Sequence, residues 1–210
     1  MGQTEYPKLH IMRGNSKLGK LLYVSLPPGK SCPKKAPCYN EGCYARKFCT
    51  LRKECAKACE DNWTLATKFR KRYFAHINAV ITLKEPPLFR WHVFGDIPDA
   101  DYLDQMMIIA RNNPSTKFLC FTKQYGLACG AADWDDRPMP KNLQLVLSAW
   151  PGYLSNYKIM EHSLPVAWAR DPKNPDPRIP ATAHECDGGC DKCGLCWNLK
   201  PGESVVFDKH

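Results

Sequence analysis

Twelve cysteines punctuate the 210-residue chain, and two groups of them are spaced for metal ligation. Cys32, Cys38 and Cys43 fall in CPKKAPCYNEGCYA, a short stretch broken by proline and glycine. Cys186, Cys190, Cys193 and Cys196 fall in CDGGCDKCGLCW. Thiolate is a soft ligand that suits zinc or an iron–sulfur cluster, and either takes four thiolates or three plus another group. Two successive C-x-x-C steps let consecutive thiolates meet one ion from a tight turn, so the second group reads as a metal site. The first offers three ligands. Three thiolates on a four-iron cluster leave one iron free to hold and cleave S-adenosylmethionine, although spacing alone identifies only the ligand set. The two groups form either separate sites or one shared site that closes the fold like a clasp. Cys55 and Cys59, four residues apart, read equally as extra ligands or as small core residues.

Other chemistry-bearing residues cluster at the ends of apolar runs. Asp96 follows Gly95 just beyond FRWHVF, where a carboxylate can orient a base or ribose, act as a general base, or attack an anomeric carbon. A helix-capping aspartate would look the same. Thr122 and Lys123 end the next apolar run, and Ser148 lies in the one after. Lys123 suits a phosphate or a cofactor carboxylate; a strand exit to water is the plain alternative. Arg90 and His92 alternate with Trp91 and so share one strand face, which makes His92, with Ser148, a candidate cofactor contact if that face lines the interior. Lys68, Lys71 and Arg72 form a basic helix face suited to nucleic-acid phosphates, or simply to solubility. His210 reads as a nitrogen ligand or as a frayed end.

The elements that must position these groups alternate between strand and helix. KLLYVSL at 20–26 reads as a strand that breaks at Pro27-Pro28-Gly29 directly into the first cysteine loop. That is the arrangement expected at the carboxyl edge of a parallel sheet. Residues 54–83 read as one helix with Leu65, Phe69, Tyr73 and Ile77 in an apolar stripe, followed by Val80 and Ile81. Pro86-Pro87 ends it, and 89–94 is a strand. Asp99 or Asp101 caps a helix carrying Leu103, Met106, Met107 and Ala110, and 117–124 is the next strand, giving a β-α-β unit with parallel strands. Residues 125–141, with Asp133, Trp134, Asp135 and Asp136, read as a long loop. Strands follow at 143–150 and 165–170, the proline-rich 171–180 runs extended, and 203–208 closes as a strand. The fold class is therefore α/β: a partial parallel barrel or an open, mostly parallel sheet with helices and two Cys-rich metal-binding loops. It forms a single domain over 1–210, with a Cys-rich loop at 29–59 and a Cys-rich segment at 184–210.

Composition bounds the function. With 44% hydrophobic and 24% charged residues the chain suits a folded domain with a real core. Its net charge of +9 is uneven: 18 Lys and Arg stand against 6 Asp and Glu up to residue 90, and 12 against 15 beyond. A basic first half points to a polyanionic partner, a nucleic acid or nucleotide before others. No apolar run approaches the roughly 20 residues of a membrane span, and no signal-peptide core follows Met1. The expected location is cytoplasmic, the host cytoplasm if a phage encodes the chain. Reducing thiols there favour metal ligation over disulfides.

The order LPPGKSCP, CYA, RWHVFGD, a strand ending FTK, LVLSAW, C-x-x-C-x-x-CW and VVF-D-K-H resembles the phage "gene product eighty-eight" family over about residues 24–210. Cys43-Tyr44-Ala45 also resembles the third cysteine of radical S-adenosylmethionine proteins related to spore photoproduct lyase, whose usual C-x-x-x-C-x-x-C spacing this loop does not keep. The resemblance implies a phage metalloprotein and favours an enzyme. Its four-iron cluster would sit on Cys32, Cys38 and Cys43, with Asp96 and Lys123 at the substrate. Two rivals stand beside it: a base-exchanging transglycosylase with structural zinc and Asp96 as nucleophile, and a metal-stapled binding module such as an inhibitor of a host system.

Overall fold

The apolar runs of the sequence join into one sheet. The computed structural model describes residues 6–14, 17–40, 42–132, 137–150 and 164–208. Asp133 to Asp136 and His210 lie outside the described residues. In chain order the strands are β1 (Met12–Arg13), β2 (Leu22–Val24), β3 (Leu88–Trp91), β4 (Lys117–Thr122), β5 (Leu143–Ala149), β6 (Val166–Arg170), β7 (His184–Glu185) and β8 (Ser204–Asp208). The helices are α1 (Pro37–Asn40), α2 (Tyr44–Leu51), α3 (Lys53–Lys68), α4 (Arg70–Lys84), α5 (Ala100–Asn112), α6 (Tyr125–Ala132) and α7 (Cys190–Cys193), and a 3-10 turn spans Leu195–Trp197. The sheet is open, in the order β1-β2-β3-β4-β5-β6-β8-β7, and every pair is parallel except β1 with β2.

From β2 to β6 the order in space follows the order in the chain. A sheet wound steadily in one direction carries its right-handed crossovers on one face. Apolar side chains of α4, α5, α6 and the second half of α3 accordingly meet Val24, Phe89, Trp91, Phe118, Leu145 and Trp168 on that face. Burying each such large side chain stabilises the fold by about 1.5–3 kcal/mol.

Three expectations change. The helix expected over 54–83 is two helices, broken at Phe69 (φ −135, ψ 44). The stripe explains why: each four-residue step overshoots the 3.6-residue turn by about 40°. Leu65, Tyr73, Ile77 and Ile81 cannot all face the sheet from one straight helix, and the break resets the phase so that all four are buried. Second, 125–132 of the expected loop is α6. Gly126 and Gly130 hide it from propensity, but Tyr125, Ala128 and Ala131 are buried, and Tyr125 Oη donates to the Ser148 carbonyl at 2.6 Å. Third, 171–180 runs as successive turns, closed by Asn174 N–H to the Asp171 carbonyl and Ile179 N–H to the Asp176 carbonyl.

The helix cap at Asp99 stands as expected. Asp99 Oδ1 accepts the Tyr102 N–H at 2.9 Å, and Arg70 grips the same carboxylate with two bonds of 2.8 and 2.7 Å. One side chain thus starts α5 and ties it to α4. Asp99→Ala is expected to cost about 1–2 kcal/mol, read as a lower denaturant midpoint at unchanged slope, whereas Asp99→Asn keeps the cap and costs less. Equal losses in the two variants would contradict this account.

Candidate functional site

The sheet face turned away from α4, α5 and α6 carries a second apolar cluster, including Tyr23, Leu119, Val146, Ala167 and Val205. It is roofed by Leu18, Leu21, Ala45, Trp197 and Leu199, and the Trp197 indole N–H donates to the Phe89 carbonyl at 3.3 Å. Between roof and sheet lies a cavity of about 360 Å³. Cys32, Cys38 and Cys43 line it from one side, and Cys186, Cys190 and Cys196 from the other. Members of the two sequence groups therefore share one cavity, while Cys193 is exposed and off its lining.

The first cysteine loop is fixed where β2 and β3 end together. Leu26 N–H reaches the Phe94 carbonyl at 3.0 Å, and Ser31 Oγ bonds the Pro27 carbonyl at 3.1 Å while accepting the Asp96 N–H at 3.1 Å. Gly95 (φ +81) must be glycine: a Cβ there would lie 2.5 Å from Ser31 Oγ and 2.7 Å from the Leu26 carbonyl oxygen. Cys32 Sγ accepts the Gly29 N–H at 3.4 Å, and burial pushes its thiol up to about 11. Burial also raises Cys38, against the pull of the nearby Lys123 ammonium.

Asp96, Lys123 and Ser148 come from the ends of three neighbouring strands, as the sequence suggested. Asp96 is 4% exposed. Its Oδ1 accepts Thr122 Oγ1 (2.6 Å) and the Ile97 N–H (2.7 Å), and its Oδ2 accepts the Lys123 N–H (2.8 Å). Burial raises its pKa, and these bonds oppose the rise. Lys123 Nζ donates to Ser148 Oγ at 2.8 Å and stands 5.5 Å from the Trp150 ring centroid. Arg90 also lines the cavity, its guanidinium over the Phe121 ring at 4.7 Å and its buried Nε without a partner among the described residues.

His92 leaves the expected alternation. Its φ of +55 swings the ring so that Nε2 lies 3.0 Å from Tyr102 Oη and Nδ1 lies 3.8 Å from Cys120 Sγ, both partners in the helix-side core. The residue still borders the cavity, but its ring does not share a face with Arg90.

The second cysteine group is held by the N-terminal segment. The Lys17 carbonyl accepts the Cys190 N–H at 3.1 Å, and Asp191 Oδ2 accepts the Lys20 N–H at 2.9 Å. Burial raises Cys190 and lifts Cys196 to about 12. Lys68, Lys71 and Arg72 lie exposed around the α3–α4 break, outside the cavity lining, with Arg72 stacked on Tyr6 at 4.2 Å.

A third thiol group escaped the sequence. Cys49, Cys55 and Cys59 place their Sγ atoms within 4.8 Å of one another. The four-residue spacing of Cys55 and Cys59 was a partial signal; Cys49 joins them only because the chain turns at Arg52, between α2 and α3.

Parallel strands that deliver a carboxylate, an ammonium and a hydroxyl to a cysteine-lined cavity define an α/β protein with its candidate site at the carboxyl edge of the sheet. The chain belongs to the gene product 88 family, whose model matches residues 7–199, as the sequence motifs suggested. No curated protein and no solved structure matches it. No helix among the described residues is long and apolar enough to cross a membrane.

Burial pushes the His92 imidazole from 6.5 down to about 3. Below about pH 6.5 the unfolded chain then binds a proton that the folded chain refuses, so this residue's contribution falls with pH by about 1.4 kcal/mol per unit until the folded value is reached. His92→Asn, which tolerates the positive φ, is expected to flatten the acid limb of stability between about pH 6 and pH 4. Denaturant titrations across that range measure it; an unchanged limb would refute the assignment.

Proposed function

We propose that this protein is an iron–sulfur enzyme of the S-adenosylmethionine-cleaving kind, acting on a nucleotide or nucleic acid at the carboxyl edge of its open, mostly parallel sheet. The observation that carries the reading is that Cys32, Cys38 and Cys43 open on one cavity together with Arg90, Asp96 and Lys123. Three thiolates and no fourth protein ligand from the same loop suit a four-iron cluster with one free iron. Such a cluster, when bound, supplies one-electron cleavage of S-adenosylmethionine. A volume of about 360 Å³ falls within the range of small-molecule sites.

The chain's own residues divide the remaining work. Lys123 and Arg90 offset the negative charge of thiolates and of an anionic substrate in a site where charge is poorly screened. Asp96 holds the Lys123 backbone, so the ammonium is aimed by a fixed strand end rather than a mobile loop. Trp150 and Phe121 offer ring faces on which a base can stack. Lys17 at the rim and the net charge of +9 favour a phosphate-bearing partner. Cys186, Cys190 and Cys196 close the far wall, either as a second metal centre with Cys193 or as additional ligands. The reading with Asp96 as nucleophile is less well supported, because both carboxylate oxygens already accept hydrogen bonds.

Anaerobic purification is expected to yield a brown protein with iron, acid-labile sulfide and an absorbance band near about 400 nm. Cys32→Ser, Cys38→Ser and Cys43→Ser should each lose iron, while Cys120→Ser, fully buried against the helix layer, should keep it. A colourless protein carrying only zinc would overturn the proposal.

A further inference from the structure

We infer that Cys49, Cys55 and Cys59 form a separate site for a single zinc ion, which fastens α2 to α3. Cys49 lies in the last turn of α2. Cys55 and Cys59 stand one turn apart on the same side of α3, so two thiols from one helix meet one from its neighbour. The elbow between them is Arg52, held at φ −125 and ψ 86, which folds α2 back to bring Cys49 over the other two.

The distances choose the metal species. Zinc–thiolate bonds of about 2.3 Å in a tetrahedron put sulfurs roughly 3.8 Å apart. Three Sγ atoms all within 4.8 Å already approximate that triangle. A four-iron cluster places each thiolate on a different iron and so spreads the sulfurs more widely than one ion does. The surroundings agree: Cys59 is fully buried, and Cys49 and Cys55 pack against the open-face apolar cluster. One fully buried and two half-buried thiols gathered within 4.8 Å match a soft-ion site better than core packing.

No further His, Cys, Asp or Glu among the described residues brings a ligand atom within the same 4.8 Å. Cys49 and Cys59 do line a surface groove with Tyr39, Arg46, Thr50 and Glu60. The fourth zinc position therefore faces that groove and takes water. The inference does not depend on the iron–sulfur reading of the larger cavity, because the two sites differ in metal, ligands and location.

The test uses the full chain purified anaerobically, with zinc and iron measured separately. One zinc per chain should survive gel filtration. Cys55→Ser and Cys49→Ser should each lose that zinc while retaining any iron, and cobalt exchanged into the site should give sulfur-to-metal charge-transfer bands that these variants lack. A measurement on the unaltered chain covers the case in which the variants fail to fold. Chelator treatment should expose Cys49, Cys55 and Cys59 to alkylation, mapped by mass spectrometry, and zinc should protect them again. Alkylation at these three positions that ignores zinc, a disulfide between any two of them in the anaerobic protein, or loss of iron in place of zinc would each overturn the inference.

Discussion

The Asp96 carboxylate is the constraint on which the site depends. It binds Thr122, the Lys123 N–H and the Ile97 N–H, while its own N–H reaches Ser31 in the first cysteine loop. One buried residue thus joins the loop after β2, the loop after β3 and the end of β4. Hydrogen bonds to a charged group are worth about 1.5–3 kcal/mol each, and their buried donors would be orphaned without it. A carboxylate is costly to bury, and three donors converging on it are what make that position tolerable.

The two faces of the sheet then have different jobs. The helix side is packed with aromatic and aliphatic residues, Trp91, Phe89, Phe118 and Tyr102 among them, and leaves no room for chemistry. The crossover helices α4, α5 and α6 go to that packed face, and only α2 and the cysteine-bearing side of α3 reach the edge of the opposite one. That face must be covered by something else. The chain uses its two cysteine-bearing segments, so roof and candidate ligand set are the same residues. A fold with helices on both faces would have no space there for thiols, an ammonium and a guanidinium around one cavity.

Much of this was legible in the sequence, for identifiable reasons. The six longer apolar runs became strands, Asp99 became a cap, and Asp96, Lys123 and Ser148 fell at strand ends because parallel strands finish on the same edge. What escaped depended on long-range packing or on backbone torsions. β1 and β7 are two residues long and exist only through their partners. α6 is glycine-containing and helical because its small residues fit the sheet. The break at Phe69 follows from phase drift that a list of apolar positions conceals. His92 turned inward because of one positive φ, which no residue pattern announces, and Cys49 met Cys55 and Cys59 through a bend at Arg52.

The contact between Lys17–Lys20 and the helix bearing Cys190 has a consequence for the order of assembly. Lys20 and Asp191 are 171 residues apart, and Trp197 reaches Phe89 across 108. Loop closure of that span comes late, since it requires the chain to have left the ribosome as far as Asp191 and Trp197. The first cysteine loop, tied to strands made much earlier, is already shaped while its roof is still being synthesised. The nascent protein therefore passes through a stage in which those three thiols face open solvent on a formed ledge, and the cavity is sealed only when the segment bearing Cys190 and Trp197 emerges.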